Sequence, residues 1–174
     1  RYLTIDDYIN GYLNDCVDFV RKSTGHDRIT LMGICQGGTF STIYSALHPT
    51  NVQNLVTLVT PIDFSTDDGL LNRWARNLNV DALVDTYGVV PGGFMNSGFL
   101  MLMPFTLNIT KYAQMLDIAQ DKEKLLNFIR MEKWIFDSPG QAGECLRQFV
   151  KDLYQENKLV KNELEIGGRK VDLK

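Results

Sequence analysis

The spacing of apolar residues along the first third of the chain predicts alternating helices and strands. Apolar side chains recur every three or four positions over residues 4–22, which predicts a helix capped by Thr4. Two short apolar runs, 28–33 and 54–60, are typical of buried parallel strands, and the residues 36–47 between them have helical spacing. The order helix, strand, helix, strand indicates an α/β fold built on a parallel sheet.

The pattern changes after Pro61. Helical spacing dominates between about residues 66 and 157, and no run there is typical of a strand. The predicted helices cover residues 72–87, 111–119, 121–135 and 141–156. Because an α/β sheet normally returns to a strand within a few tens of residues, we interpret this stretch as a helical cap inserted over the sheet edge. Residues 163–174 then predict a hairpin with a Gly-Gly turn.

An apolar segment rich in turn formers lies within the predicted cap, over residues 89–107. Its two prolines and three glycines argue against a membrane-spanning helix. We expect it to form the core of the cap. The alternative is a mobile cover that shields the site.

Composition restricts the class of protein. The chain has 174 residues, 44% apolar and 22% charged, with a formal net charge of -3 and no Lys/Arg block, which argues against nucleic acid as the main partner. No apolar run is long enough to span a bilayer. The three widely spaced cysteines predict neither a disulfide framework nor a metal site, so a cytoplasmic location is expected. Cys16 and Cys145 fall in apolar helical stripes and are expected to pack in the core.

The chemically informative stretch is G-I-C-Q-G-G over residues 33–38, at the predicted junction of a strand and a helix. This is the context of a nucleophile elbow, the G-x-S-x-G arrangement, with cysteine in place of serine. We expect Gly33, Gly37 and Gly38 to be needed because side chains beside the strained central residue would collide with neighbouring backbone. Cys35 is therefore the candidate nucleophile, and a tight turn around a buried cysteine is the alternative.

The start of the following helix is expected to assist Cys35. The helix dipole and its free amides favour the thiolate, which is the nucleophilic form of cysteine. The backbone N–H of Gln36 is expected to be one donor of the oxyanion hole. The Gln36 side chain has no assigned role.

Neither histidine of the chain is expected to act as the general base. His26 precedes the first strand and so lies at the opposite end of the sheet, roughly 15–20 Å from Cys35. His48 follows the helix after the elbow and lies roughly 18 Å away. We interpret both as surface or helix-end residues. Because hydrolases of this fold carry nucleophile, acid and histidine in that order, the missing acid and histidine are expected beyond Lys174.

Asp63 directly follows the second predicted strand and is an alternative candidate for the triad acid, although we favour a loop-capping role. The expected organisation is a partial α/β-hydrolase core over 1–64, a helical cap over 65–157 and a return toward the core over 158–174. The fold is expected to be incomplete at both ends. Without the triad acid and histidine, the chain alone is expected to show little or no turnover.

Three stretches together resemble polyhydroxyalkanoate synthases: the elbow, V-T-P-I-D-F over 59–64, and R-M-E-K-W-I-F-D-S-P over 130–139. The similarity covers essentially the whole chain. It is greatest to the class III catalytic subunit, which works with a second, unrelated subunit; the class IV enzymes are an alternative. The stretches 130–139 and 149–154 are more specific than the elbow because general hydrolases lack them.

The resemblance implies an acyltransferase that polymerises 3-hydroxyacyl-CoA thioesters, mainly 3-hydroxybutyryl-CoA, into a storage polyester and releases CoA. Cys35 matches the catalytic cysteine in the lipase-like box of the family. The resemblance also implies a helical cap, a homodimer, a second non-homologous subunit and association with polyester granules. It implies no cofactor, since the CoA thioester is the substrate.

The sequence also allows two alternative interpretations of function. A cysteine hydrolase of the same fold, of the dienelactone hydrolase or polyester depolymerase kind, would pass the acyl group to water instead of a hydroxyl. A piece that lacks the triad partners would instead serve only as a folding core or a partner-binding segment.

Overall fold

A long helix, α1, opens the fold. In the computed structural model, which describes residues 1–174, it runs as a π-helix over Asp7–Leu13 and as an α-helix over Asn14–Thr24. A capping box closes its first turn: the Asp7 N–H donates to the Thr4 hydroxyl at 3.3 Å, and the Thr4 N–H donates to the Asp7 carboxylate at 2.7 Å. The predicted cap at Thr4 is confirmed, and the helix extends slightly beyond its predicted end.

Two parallel strands joined by a helix follow α1. Strand β1 spans Ile29–Ile34, helix α2 spans Gln36–Leu47 and strand β2 spans Val52–Leu58. The strands pair in parallel, with Ile34 opposite Leu58. The predicted α/β class is confirmed, α2 has its predicted bounds, and the strands lie one or two residues from their predicted ranges.

Helices lie over one face of this two-stranded sheet, where β1 is partly buried and β2 stays exposed after Val52. Successive side chains of a strand point to opposite faces. Ile29 and Leu31 point toward α1 and α2 and pack against the buried core. The side chains on the other face are exposed, and the apolar ones among them are Met32, Ile34, Val56 and Leu58. The sheet therefore presents an open apolar face, which we refer to below by these four residues.

The chain after β2 is mainly helical. Its helices are α3 (Leu70–Asn77), α4 (Val80–Tyr87), α5 (Gly92–Leu100), α6 (a π-helix over Thr106–Thr110 continued as an α-helix over Lys111–Asp117), α7 (Lys122–Phe136) and α8 (an α-helix over Gly143–Gln148 continued as a π-helix over Phe149–Gln155). Strands β3 (Val89–Val90) and β4 (Gln141–Ala142) pair antiparallel. Strands β5 (Glu165–Ile166) and β6 (Arg169–Lys170) form the predicted hairpin, whose two turn glycines have positive φ.

Two sequence predictions in the helical region are wrong. The single helix predicted over 72–87 is broken at Leu78, whose extended backbone presents its carbonyl to the Gln155 side chain at 3.0 Å. Asn79 then starts α4 by accepting a hydrogen bond from the Ala82 N–H at 3.0 Å. The prediction that no strand occurs between 66 and 157 fails at β3 and β4, which are too short to leave a periodic pattern.

Two clusters of buried side chains stabilise the fold. The larger joins α1 and α2 to the loop after β2, to α8 and to the C-terminal hairpin, and the smaller joins α4, β3 and α8. Helix α8 contributes to both, with Cys145, Phe149 and Leu153 in the larger cluster and Leu146 and Val150 in the smaller. The predicted division of the chain near residues 64 and 157 stays a prediction.

The apolar segment over 89–107 is only partly packed. Val90 and Gly92 are buried, whereas six large apolar side chains in the segment are at least 45% exposed: Val89, Phe94, Phe99, Met101, Met103 and Phe105. The segment is therefore buried at Val90 and Gly92 and is mostly apolar surface elsewhere. None of the helices combines the length and the apolar composition that crossing a membrane requires.

Candidate active site

Cys35 lies between the end of β1 and the start of α2, as predicted. Its backbone has φ 52° and ψ -124°, a conformation that residues with a side chain seldom adopt. The Cys35 N–H donates to the Leu58 carbonyl at 2.9 Å, and the Cys35 carbonyl accepts from the N–H groups of Gly38 at 2.9 Å and Thr39 at 3.2 Å. The side chain is exposed, which contradicts the alternative of a turn around a buried cysteine. This is the geometry of a nucleophile elbow.

Two backbone donors at the start of α2 are free. The N–H groups of Gln36 and Gly37 make no hydrogen bond within the chain, as is usual for the first turn of a helix. They directly follow the residue that carries the sulfur. A substrate oxygen that gains negative charge during attack by Cys35 would find donors here. The role of Gln36 in the oxyanion hole stays a prediction that this geometry supports.

Close approach of neighbouring atoms explains two of the three elbow glycines. A Cβ on Gly33 would lie 2.6 Å from the Gly38 Cα and from the Ser41 hydroxyl, and a Cβ on Gly38 would collide with the Thr60 side chain. A Cβ on Gly37 would meet no atom within 4 Å. The predicted collision with neighbouring backbone therefore holds for Gly33 and is wrong for Gly37, while Gly38 is crowded by a side chain instead.

The loop after β2 is tied to the elbow helix. The Thr39 hydroxyl donates to the Pro61 carbonyl at 2.7 Å. Because Thr39 is one turn from Cys35 and Pro61 follows β2, this bond holds the loop beside the nucleophile. The carboxyl ends of two paired parallel strands lie at the same edge of a sheet, so the loop and Cys35 share that edge.

Asp63 lies in this loop and is held by neighbours other than histidine. Its carboxylate accepts from the Ser65 N–H at 2.9 Å and from the Asn157 side-chain amide at 2.9 Å. These hydrogen bonds from Ser65 and Asn157 hold the pKa of Asp63 below its usual value. Asn157 also accepts from the Phe64 N–H at 3.0 Å. These contacts support the loop-capping role of Asp63, which stays a prediction.

An aromatic cluster packs between the loop, α2 and α8. The Phe64 ring lies edge-on to Tyr154 at 4.7 Å between centroids and edge-on to Phe149 at 5.9 Å. Phe149 lies 5.8 Å from Phe40 of α2. Sequence reasoning missed Tyr154 and Asn157 as neighbours of the site. The family-specific stretch 149–154, which includes the tyrosine, was the available signal.

The two histidines lie where predicted, and neither bonds to Cys35. His26 is exposed before β1, with its Nδ1 at 3.0 Å from the Thr24 carbonyl. His48 follows α2, with its Nε2 at 2.8 Å from the Asn10 side-chain oxygen. Burial and then the Arg169 guanidinium lower the pKa of His48. The residues described here thus bring together an exposed thiol and free backbone donors, and neither histidine is bonded to that thiol.

The remaining cysteines differ in their surroundings. Cys145 is buried in the larger cluster as predicted, and burial raises the pKa of its thiol to about 12. Cys16 is exposed, so its predicted packing is wrong. The i→i+5 hydrogen bonds of the π segment in α1 shift the helical phase, and the buried position falls on Val17 instead.

The parallel pair and the elbow define the class of this protein. The sequence model for the alpha/beta hydrolase fold matches residues 1–143, so the chain belongs to that family. Within it, the chain is 56% identical over 174 residues to the poly(3-hydroxyalkanoate) polymerase subunit PhaC of Allochromatium vinosum, covering 100% of this chain and 49% of that protein.

Further relatives carry the same name. The Synechocystis sp. protein is 52% identical over 179 residues, which cover 99% of this chain and 47% of that protein. The Haloferax mediterranei protein is 40% identical over 174 residues, which cover 99% of this chain and 35% of that protein. The predicted resemblance to polyhydroxyalkanoate synthases is confirmed. The chain spans about half the length of its more similar relatives.

Because Gly38 closely approaches Thr60, alanine substitutions at Gly38 and at Gly37 are expected to differ in their effect on stability. Gly38→Ala should lower the free energy of unfolding by about 1–3 kcal/mol, because the added methyl group forces α2 away from the end of β2. Gly37→Ala is the matched control and should be neutral or slightly stabilising, since its methyl group meets open space within a helix. Urea denaturation of both variants checks this, and equal effects would contradict it.

Asn157 is expected to stabilise the loop through its side chain and to be strained in its backbone. It is buried and has φ 52°. Asn157→Gly should lower the free energy of unfolding by about 1–3 kcal/mol, because the Phe64 N–H loses its acceptor in a buried place. Asn157→Ala should lower the free energy of unfolding by about 1 kcal/mol more than Asn157→Gly does, since alanine does not favour positive φ. An Asn157→Ala variant as stable as Asn157→Gly would show that the backbone at residue 157 is not strained.

The three cysteines are expected to react at different rates with iodoacetamide. Cys35 and Cys16 are exposed and should be alkylated in the folded protein, while Cys145 should react only after unfolding because its thiol is buried and stays protonated. Peptide mapping by mass spectrometry, with and without denaturant, measures this. Alkylation of Cys145 under native conditions at the rate of Cys16 would show that the larger cluster opens.

Proposed function

We propose that the protein containing this chain is a poly(3-hydroxyalkanoate) polymerase. It transfers 3-hydroxyacyl groups, mainly 3-hydroxybutyryl, from CoA to a growing polyester. One combination carries the proposal: a nucleophile elbow that presents cysteine, and similarity along the whole chain to proteins named as such polymerases. Because the chain spans about half the length of these relatives, the activity is proposed for a protein of their full length.

The chemistry follows from the exposed sulfur. The Cys35 thiolate attacks the thioester carbonyl, a new C–S bond forms, and the C–S bond to CoA breaks as the CoA thiolate leaves. One thioester replaces another, so the step is nearly isoenergetic. We propose that the N–H of Gln36 donates to the carbonyl oxygen while that oxygen carries negative charge. The hydroxyl of a second monomer or of the growing chain then attacks the acyl group, its proton passes to a base, and Cys35 is released.

The base and the triad acid for this second step are proposed to come from residues beyond Lys174. Neither His26 nor His48 contacts Cys35, and Asp63 is bonded to Ser65 and Asn157. This arrangement supports the expectation that these 174 residues alone show little or no turnover. Rapid turnover by them alone would contradict it.

Further properties belong to the same proposal. We propose a 3-hydroxyacyl-CoA substrate without an additional cofactor, a homodimer, a second non-homologous subunit as in class III enzymes, and a cytoplasmic location at polyester granules. Exposed apolar side chains of the cap support contact with a greasy surface, and Phe105, Leu116 and Trp134 are each more than two-thirds exposed. A class IV enzyme with a different small partner is the alternative within the family.

The main competing function is a cysteine hydrolase of the same fold. The match to the general alpha/beta hydrolase fold favours it as the second candidate, because hydrolases share the elbow. The two functions differ in the acceptor of the acyl group. Water gives a soluble hydroxy acid, whereas a hydroxyl gives an insoluble polyester.

The test is an assay of CoA release from 3-hydroxybutyryl-CoA by the full-length protein with its partner subunit. Cys35→Ala should lower the rate at least about a thousandfold, because the covalent intermediate is lost. Cys16→Ala is the matched control, since it removes another exposed thiol outside the elbow, and should match the parent.

The products decide between the functions. CoA release together with insoluble polyester supports the polymerase. CoA release with only soluble 3-hydroxybutyrate supports the hydrolase. A Cys35→Ala variant as active as the parent would show that Cys35 is not the nucleophile.

A further inference from the structure

Tyr154 carries a free polar group at the edge of the sheet where Cys35 lies. Its side chain is half-buried, and its hydroxyl makes no hydrogen bond within the chain while its oxygen stays open to solvent. The ring is fixed on two sides, by Phe64 at 4.7 Å and by Phe149 at 5.9 Å between centroids. A donor that is held this way loses little freedom when it binds a ligand.

Hydrogen bonds of Thr39 and Asn157 connect the surroundings of this tyrosine to the Cys35 elbow. Thr39 holds the loop after β2 against the elbow helix through the Pro61 carbonyl. Asn157, three residues after Tyr154, holds the other end of that loop through Asp63 and the Phe64 N–H. The loop therefore bridges the elbow and the end of α8, and the Tyr154 ring packs on the Phe64 ring within this bridge.

The electrostatics of the pair agree with this placement. Burial raises the pKa of Tyr154, and a negative charge on Cys35 raises it further. Both causes keep the phenol protonated, so that it serves as a neutral donor and does not act as a base.

We propose that the Tyr154 hydroxyl contacts the substrate, donating a hydrogen bond to an oxygen of the acyl group that is attached to Cys35. This inference rests on the proposed acyl transfer through Cys35. The hydroxyl forms and breaks no covalent bond. It orients the acyl group between the sulfur and the free N–H groups of Gln36 and Gly37, and it leaves the reactivity of the free thiol unchanged.

The test compares Tyr154→Phe with Tyr8→Phe in the full-length protein with its partner subunit. Tyr8 is the matched control because it is half-buried in the same aromatic cluster, 6.1 Å from Phe40, and its hydroxyl also has no partner. Burial is the largest cause that raises the pKa of Tyr8, and Cys35 has no part in that shift. Two rates are measured for each variant: single-turnover CoA release from 3-hydroxybutyryl-CoA, and alkylation of Cys35 by iodoacetamide.

Tyr154→Phe should slow CoA release about tenfold or more, since a hydrogen bond to the reacting acyl group is lost. Its Cys35 should be alkylated at the parental rate, and Tyr8→Phe should leave both rates unchanged. Three results would each overturn the inference: CoA release unchanged in Tyr154→Phe, an equal loss in Tyr8→Phe, or a parallel fall in alkylation, which would mean that Tyr154 only supports the structure of the elbow.

Failure of the proposed function can be distinguished from failure of this inference. A parent protein that releases no CoA overturns the proposed polymerase. The same two variants are then compared with p-nitrophenyl 3-hydroxybutyrate, which acylates a reactive cysteine without CoA. Release of p-nitrophenol should again fall only in Tyr154→Phe, and equal rates in both variants would reject the contact.

Discussion

The backbone of Cys35 is the constraint on which the site depends. A residue with a side chain at φ 52° and ψ -124° is strained by about 1–3 kcal/mol and persists only when its surroundings fix it. Here the Leu58 carbonyl binds its N–H, and the first turn of α2 binds its carbonyl. Parallel pairing of β1 with β2 brings Leu58 to this position. The close approach at Gly33 and Gly38 follows from the same geometry.

The position of Cys35 is also linked to residues near the end of the chain. The loop after β2 begins where the strand that binds Cys35 ends, and Asn157 holds that loop through two hydrogen bonds. Helix α8 also belongs to both buried clusters, so its position depends on the packing of both. A change in the packing of the smaller cluster can therefore reach Cys35 through α8, Asn157 and Phe64.

The sequence predicted the features that depend on neighbouring residues. The elbow, the bounds of α2 and the Gly-Gly hairpin are local, because glycine spacing and the order of strand and helix define them. Other sequence predictions were wrong where the structure depends on contacts distant in sequence or on the phase of a helix. The break at Leu78 is stabilised by Gln155, 77 residues away, and Asp63 meets Asn157 across 94 residues. The exposure of Cys16 follows a π segment that apolar spacing does not reveal.

The open apolar face of the sheet has a consequence for how this polypeptide behaves as a colloid. Met32, Ile34, Val56 and Leu58 lie together on it, and each of the two strands has an unpaired edge. In water such a surface attracts other apolar surfaces, including another copy of itself. Sulfate strengthens this attraction and urea weakens it. We therefore expect sulfate to lower and urea to raise the solubility of these 174 residues.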